Sequence, residues 1–399
     1  MKITNVRMRQ IQGVMTYPGT LMEDRQRYPM DIYPEFKDKL IPQDWGTPLG
    51  NDRYRVTHYF LQIDTDEGIS GVFGPAYSTG SRFYVDTQIK PLILGRDPLA
   101  TEFLWDIMYR NAIHGRKGDN MIAISMVDIA LWDIKGKYLK QPVYKLLGGP
   151  TRDKIPAYAS AIGYSVEPKK AAERVREYMK QGYRATKWFF REGPQDGPEG
   201  IKKNIALMEA IRDAAGPDVD VMIDVWCSWD VPYTLKMAKL LEPYNPYWIE
   251  EPVMPDLTES YARLRAECPV RIVGGEHAYT RWEVKDLMKM GAMDVYQVDP
   301  TWGGGISEFM KIAALASAFD VECIPHGGVE PVCTHLTFAL SPAVTPTIEY
   351  QNVLNESKQF FYKYDAKPHN GFINLPEAPG VGCDIDMSKV ESEKDVNFR

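Results

Sequence analysis

Long apolar stretches are missing from this 399-residue chain. Nowhere do about 18 apolar residues run together, so no transmembrane helix is expected. The opening Met1-Lys2-Ile3-Thr4-Asn5-Val6-Arg7 lacks the apolar core of a secretion signal, and a cytoplasmic location is expected. Cysteine is scarce. Cys227, Cys268, Cys323, Cys333 and Cys383 show no C-x-x-C and no regular spacing, which argues against a disulfide framework and against a zinc–thiolate site. Basic residues are outnumbered, 47 Lys and Arg against 54 Asp and Glu, and a net charge of −7 disfavours nucleic acid as a partner. Neither Gly274-Gly275 nor Gly303-Gly304-Gly305 fits a G-x-G-x-x-G or Walker pattern, so both runs are read as tight turns. What is present is the composition of an ordinary globular enzyme, long enough for two or three domains.

The first 150 residues mix strand and helix. Tyr59–Asp64 and Ile69–Phe73 flank Asp66-Glu67-Gly68, a hairpin signal. Residues 14–50 are rich in Pro, Tyr, Asp and Arg without periodicity and read as a lid. Its aromatics (Tyr17, Tyr28, Tyr33, Phe36, Trp45) are suited to packing. A helical pattern runs from Asp119 to Lys137, and Gly148-Gly149-Pro150 then breaks the chain. Beyond Pro150 short apolar strands at 155–160, 184–190, 219–227, 247–251, 271–276, 293–299, 322–325 and 346–350 alternate with helical stretches. The helix at 167–181 places Ala171, Val175, Tyr178 and Met179 on one face, and Gly182 caps it. This rhythm predicts a parallel (β/α) barrel, with a doubly wound sheet as the runner-up.

At the end of successive expected strands stand Lys187, Asp224, Glu250, Glu276, Asp299, His326 and Glu349. From Asp224 onward the intervals are 26, 26, 23, 27 and 23 residues, one strand–helix unit each. One acid at a strand end is usually a helix cap or a solvated charge. Their common phase is the signal, because a barrel gathers its strand ends on one face. Asp224, Glu250 and Glu276 offer only oxygen, and three hard ligands without thiolate or paired histidine fit Mg²⁺. Asp299 beside His326 can orient the imidazole through Nδ1 and leave Nε2 for proton transfer. His277 is open between substrate contact and packing, while His58, His114, His335 and His369 are read as structural.

These residues, with Asp128-Ile-Ala-Leu-Trp-Asp133, Leu146-Leu-Gly-Gly149, Ile249-Glu250-Glu251-Pro252 and Gly275-Glu276, resemble the enolase superfamily and its mandelate racemase subgroup. The resemblance implies a (β/α)7β TIM-like barrel with an N-terminal α+β capping domain completed by the C-terminal tail. The expected division is a cap at 1–130 containing the lid, a catalytic barrel at 131–360 and a returning segment at 361–399. It further implies Mg²⁺ held by Asp224, Glu250 and Glu276, a catalytic His326–Asp299 dyad, and Glu349 bonded to a substrate carboxylate. Lys187 is expected to add positive charge near the substrate.

The racemase pattern Lys-x-Lys is here Lys187-Trp188-Phe189, and Phe189 cannot serve as a base on the opposite face. A single histidine that removes the α-proton and then protonates a leaving β-hydroxyl suffices for syn dehydration. The expectation is therefore a dehydratase of acid sugars, similar to the L-rhamnonate type. Asp31, Arg53 and Arg55 are the lid-side candidates for the distal hydroxyls, together with His277. The expected partner is the small-molecule acid sugar, with no nucleic acid or membrane, in a homo-oligomer. The alternatives are an epimerase or racemase with His277 as second base, a non-catalytic binding relative, and a metal-dependent hydrolase.

Overall fold

The computed structural model describes residues 1–37, 39 and 45–398. The first domain is an antiparallel sheet of β1 (Ile3–Thr16), β2 (Thr47–Gly50), β3 (Arg53–Thr65) and β4 (Ser70–Phe73). β1 and β3 pair along their whole length, from Ile3 opposite Thr65 to Thr16 opposite Arg53. β3 and β4 are the arms of the expected hairpin, and Gly68 supplies the left-handed turn residue at φ +73°. The outer edge of β1 is covered by the C-terminal strand Ser392–Val396, antiparallel from Met8 opposite Val396 to Gln12 opposite Ser392. The ion pair Arg9–Glu393, 2.6 Å, ties that tail down. The expected 14–50 loop is shorter than supposed. Residues 14–16 belong to β1 and 47–50 to β2, and a single helical turn, Pro29–Ile32, lies between. Residues 38 and 40–44 of that segment lie outside the described residues.

The helix Asp119–Tyr138 is buried nearly all round because it is sandwiched between this sheet and the helix Gly305–Ala318. Two buried aspartates fasten it. Asp128 accepts from Ser307 N (2.9 Å) and Ser307 Oγ (2.6 Å), and burial pushes its pKa up to about 7. Asp133 accepts from Val72 N at 2.9 Å and Val381 N at 2.8 Å. The division expected after residue 130 therefore falls inside one continuous helix, with one aspartate bound to the barrel and the other to the sheet and the tail. Gly305 lets Asp128 approach, since a Cβ there would lie 2.4 Å from Asp128 Oδ2.

Eight parallel strands follow: β5 (Lys154–Ser160), β6 (Ala185–Phe189), β7 (Asp220–Asp224), β8 (Trp248–Glu250), β9 (Arg271–Gly274), β10 (Val295–Tyr296), β11 (Glu322–Cys323) and β12 (Ile348–Gln351). They pair in sequence order, and β12 returns to β5, as a barrel requires and a doubly wound sheet does not. Val221, Ile223 and Ile249 pack outward with the helices, while Met222 and Trp248 join Tyr158, Val273, Val295 and Ile324 inside. Several strands end earlier than expected. β7 stops at Asp224 because Trp226 and Cys227 take φ +38° and +58°, and Asp299 and His326 stand in loops three residues past β10 and β11. Among the described residues no helix is long and apolar enough to cross a membrane.

His335 holds the first barrel connection by accepting from Tyr144 N (3.2 Å) through Nδ1 while Nε2 faces Val381 O at 3.1 Å. That arrangement needs a neutral ring, and burial pushes its pKa down to about 4. The unfolded chain protonates His335 near pH 6.5 and the native state only near 4. Stability is thus lost as pH falls through this window, by roughly 3 kcal/mol from this group. Melting temperatures between pH 7 and 4 check this: His335→Gln starts lower at pH 7 and declines less steeply. An equal slope in both proteins would reject the assignment.

Candidate active site

Strand alternation lifts the site out of the apolar barrel. Asp224 follows Met222 on the inward face of β7, and Glu250 is its register partner on β8. Lys187 on β6 points to the same interior, and its side chain is 1% exposed. Its ammonium lies 3.5 Å from Asp224 Oδ2 and 2.9 Å from Glu349 Oε1, and it contacts Glu250 Oε1 directly. Burial alone would lower the pKa of Lys187, but Glu250 and Glu349 hold it well above the usual lysine value. Burial would likewise raise Glu349, yet Lys187 and His326 bring it down to about 2.

His326 and Asp299 form the expected pair, with Nδ1 2.8 Å from Asp299 Oδ2. Thr301 fixes the other Asp299 oxygen through its N–H at 2.6 Å and its hydroxyl at 2.7 Å. His326 Nε2 is left toward the cavity, 3.3 Å from Glu276 Oε2. Burial would lower this imidazole, but Glu276, Asp299 and Glu349 raise it to about 10. The Trp302 ring lies 5.1 Å from the imidazole, and Trp226 Nε1 donates to Glu276 Oε1 at 2.9 Å. Gln297 Nε2 and Trp248 Nε1 donate to Glu250 Oε2 at 3.0 and 3.1 Å. Gln297 and Trp302 were not singled out in the sequence, and Trp226 and Glu251 stood there only as neighbours of the metal-ligand candidates. Their signal is position alone: each stands within three residues of a strand-end group.

A cavity of about 400 Å³ opens above the barrel between Met22, Arg25, Tyr28, Trp45 and Tyr77 of the first domain and Glu276, Trp302, His326, Gln351 and Lys358. The lid-side candidates fare differently. Asp31 is buried and does not line the cavity, because it grips Arg25 at 2.6 and 2.9 Å. The remaining Arg25 donors go to the carbonyls of Gln26, Phe36, Lys37 and Lys39, so this arginine shapes the segment from within. Arg53 and Arg55 are exposed on β3, opposite Thr16 and Val14, because Tyr54 and Val56 take the inward positions. His277 does not line the cavity either. Its Nδ1 is held by Glu251 at 2.9 Å, which raises its pKa to about 9 against the effect of burial. A larger depression of about 820 Å³, lined by Tyr109, His114, Trp282 and Met290 among others, contains none of the strand-end groups.

The acids outnumber their counterions: Asp224, Glu250, Glu251, Glu276, Asp299 and Glu349 surround Lys187, His277 and His326. Burial, with repulsion from its acidic neighbours, pushes Asp224 and Glu250 up to about 7 and raises Glu276, with Lys187 opposing at the first two and His326 at the third. Crowded, dry carboxylates call for a further cation, and an all-oxygen donor set suits a hard divalent ion. The oxygens of Asp224, Glu250 and Glu276 do not all lie within 4.8 Å of one another, since Lys187 draws the first two and Trp226 and His326 hold the third. The fit is thus one of donor chemistry at one rim, and the side chains must turn inward to share an ion. Among the described residues, Cys227, Glu251 and His277 do meet that distance. Burial beside Glu251 keeps the Cys227 thiol protonated and donating to it at 3.1 Å, and Glu251 also holds His277, so this trio is a hydrogen-bonded cluster.

Comparison with known proteins shows the family. Residues 52–148 match the mandelate racemase / muconate lactonizing enzyme N-terminal domain, and residues 170–389 match the enolase C-terminal domain-like family. Arabinonate dehydratase of Saccharolobus solfataricus is 36% identical over 84% of this chain and 89% of its own. L-rhamnonate dehydratase of Saccharopolyspora erythraea is 31% identical over 92% and 90%. The crystal structure of rhamnonate dehydratase from Gibberella zeae complexed with Mg superposes with a TM-score of 0.83 at 28% identity, covering 98% of this chain and 96% of that one.

Gly328 tests how tightly the dyad is built. A Cβ at this position would lie 2.2 Å from Asp299 Oδ2, so Gly328→Ala must displace the carboxylate that orients His326. A shift of about 1 Å at a reacting group costs on the order of 100-fold. We expect that loss in kcat with an unchanged circular dichroism spectrum; turnover within threefold of wild type would show that the contact is slack.

Proposed function

This chain belongs to the enolase superfamily, and we propose that within it the protein is a Mg²⁺-dependent acid-sugar dehydratase. The relatives named above are dehydratases, and dehydratases are hydro-lyases, so the enzyme class is a lyase. The reaction removes water from an aldonate and leaves the 2-keto-3-deoxy acid. One observation carries the reading: a His326–Asp299 dyad with Nε2 turned to a cavity that Glu276 also lines, 3.3 Å away.

Asp224, Glu250 and Glu276 are the residues that would hold Mg²⁺. When bound, the ion supplies positive charge against the substrate carboxylate and lowers the cost of the enediolate. His326 Nε2 takes the proton from C2, and Asp299 stabilises the imidazolium that results. The same imidazolium returns that proton to the hydroxyl on C3, the C3–O bond breaks, and the product enol ketonises to the 2-keto acid. The electron pair of the broken C–H bond becomes the C2–C3 double bond of this enol. Glu349 and Lys187 hold the floor beneath the substrate carboxylate. Among the described residues no second base faces His326 across the site, because Phe189 is buried on β6 and Lys187 is engaged by carboxylates. His277, tied to Glu251, is a poor substitute, which sets the epimerase alternative behind dehydration.

A panel of pentonates and hexonates, read by 2-keto acid formation, tests this. We expect turnover with Mg²⁺, loss on chelation and recovery on readdition. His326→Ala should reduce kcat by roughly 10³-fold, in line with removal of a general base, and leave Mg²⁺ binding by calorimetry intact. Turnover of His326→Ala within tenfold of wild type would reject the dyad. Exchange of the C2 proton with ²H₂O and no loss of water would instead favour the epimerase.

A further inference from the structure

Lys358 ends the short helix Asn352–Lys358 that follows β12. It is 5% exposed and lines the cavity beside Gln351 and His326. An ammonium has three N–H donors and no acceptor. Gln351 Oε1 takes one at 2.5 Å and the Gly327 carbonyl a second at 3.2 Å. Both partners are neutral. Among the described residues the third N–H has no acceptor and is left to the cavity, where the ring of Trp45 stands 5.6 Å from Nζ. A buried charge with an unused donor is costly unless a ligand oxygen completes it.

We propose that Lys358 is a specificity-determining residue that donates to a hydroxyl of the acid sugar beyond C3. The proposal rests on the dehydratase reading above. Geometry sets the position along the chain. Lysine can only donate, so the Gln351 amide must turn its oxygen to Lys358 and its NH₂ group to His326, whose Nε2 is 3.4 Å away. His326, Gln351 and Lys358 therefore stand in that order along one wall. His326 acts at C2 and C3, and Lys358, one amide farther along, meets the next part of the chain. A hydroxyl suits it better than a second carboxylate. A buried carboxylate needs several donors, and the arginine on the opposite side of the cavity, Arg25, has given its N–H groups to Asp31 and backbone carbonyls. Burial, which lowers the pKa of Lys358, agrees with a donor awaiting a neutral partner.

The test uses the full chain with Mg²⁺, comparing wild type, Lys358→Met and Lys358→Gln on every acid sugar that wild type turns over. Their 4-deoxy and 5-deoxy analogues and an aldarate are assayed alongside. We expect Lys358→Met to raise KM at least tenfold with kcat changed less than threefold, and Lys358→Gln, which keeps a donor, to recover part of the loss. One deoxy analogue should cost wild type a similar factor and cost Lys358→Met nothing more. KM within twofold of wild type for Lys358→Met on all substrates overturns the proposal, as does an aldarate preference that Lys358→Met abolishes. Should Lys358→Met melt well below wild type, the same twofold limit on KM is applied to Lys358→Gln. An inert wild type across the whole panel overturns the dehydratase reading itself, and no variant is needed to see that.

Discussion

A single ammonium in a dry barrel is the constraint around which the site is arranged. Lys187 sits beneath Asp224, Glu250 and Glu349, and the rings of Tyr158 and Trp248 below keep water from sharing the load. Removing one partner from such a buried set leaves charge uncompensated and costs several kcal/mol. Lys187 neutralises the floor but not the rim. A surplus of negative charge is left at Glu276, which lines the cavity, where a cation can reach it. His326 belongs to the same field: its proton affinity follows from the acids around it, so a cation bound at the rim also returns the imidazole toward its ordinary basicity.

The first domain contributes shape more than chemistry. Arg25 is spent on its own segment, and Arg27 anchors that segment to the barrel through Asp196 at 2.6 Å and Gln195 at 2.8 Å. Asp24 reaches Arg191 at 2.8 Å. What this segment presents to the cavity is mostly apolar and aromatic, with Met22 in its lining and Tyr28 edge-on to Trp226. The cavity is therefore bounded by a greasy roof and by a few donors on the barrel side.

The barrel and its strand-end groups were legible because both follow a repeat. A period of two places Asp224 over Met222, and intervals of one strand–helix unit bring Glu250, Glu276, Asp299, His326 and Glu349 to one edge. What the sequence concealed were relations without a period. Arg53 and Arg55 looked suited to a substrate, but alternation on β3 sends them to solvent. Asp31 looked free, and Arg25, six residues away, claims it. The Asp128 and Asp133 motif read as a family mark, and only the packing reveals that it bonds backbone N–H groups of three distant segments. Strand ends were misplaced at Trp226 and Cys227, where positive φ follows from the turn over Glu251 and from no local residue preference.

The strand Ser392–Val396 beside β1 joins segments 380 residues apart in one sheet. Synthesis runs from β1 toward this strand, so β5 to β12 are all made before β1 can gain its second neighbour. Until then one edge of β1 is unpaired, a surface that invites strand exchange with another nascent copy. The cover on that edge is thus added only after the barrel strands exist.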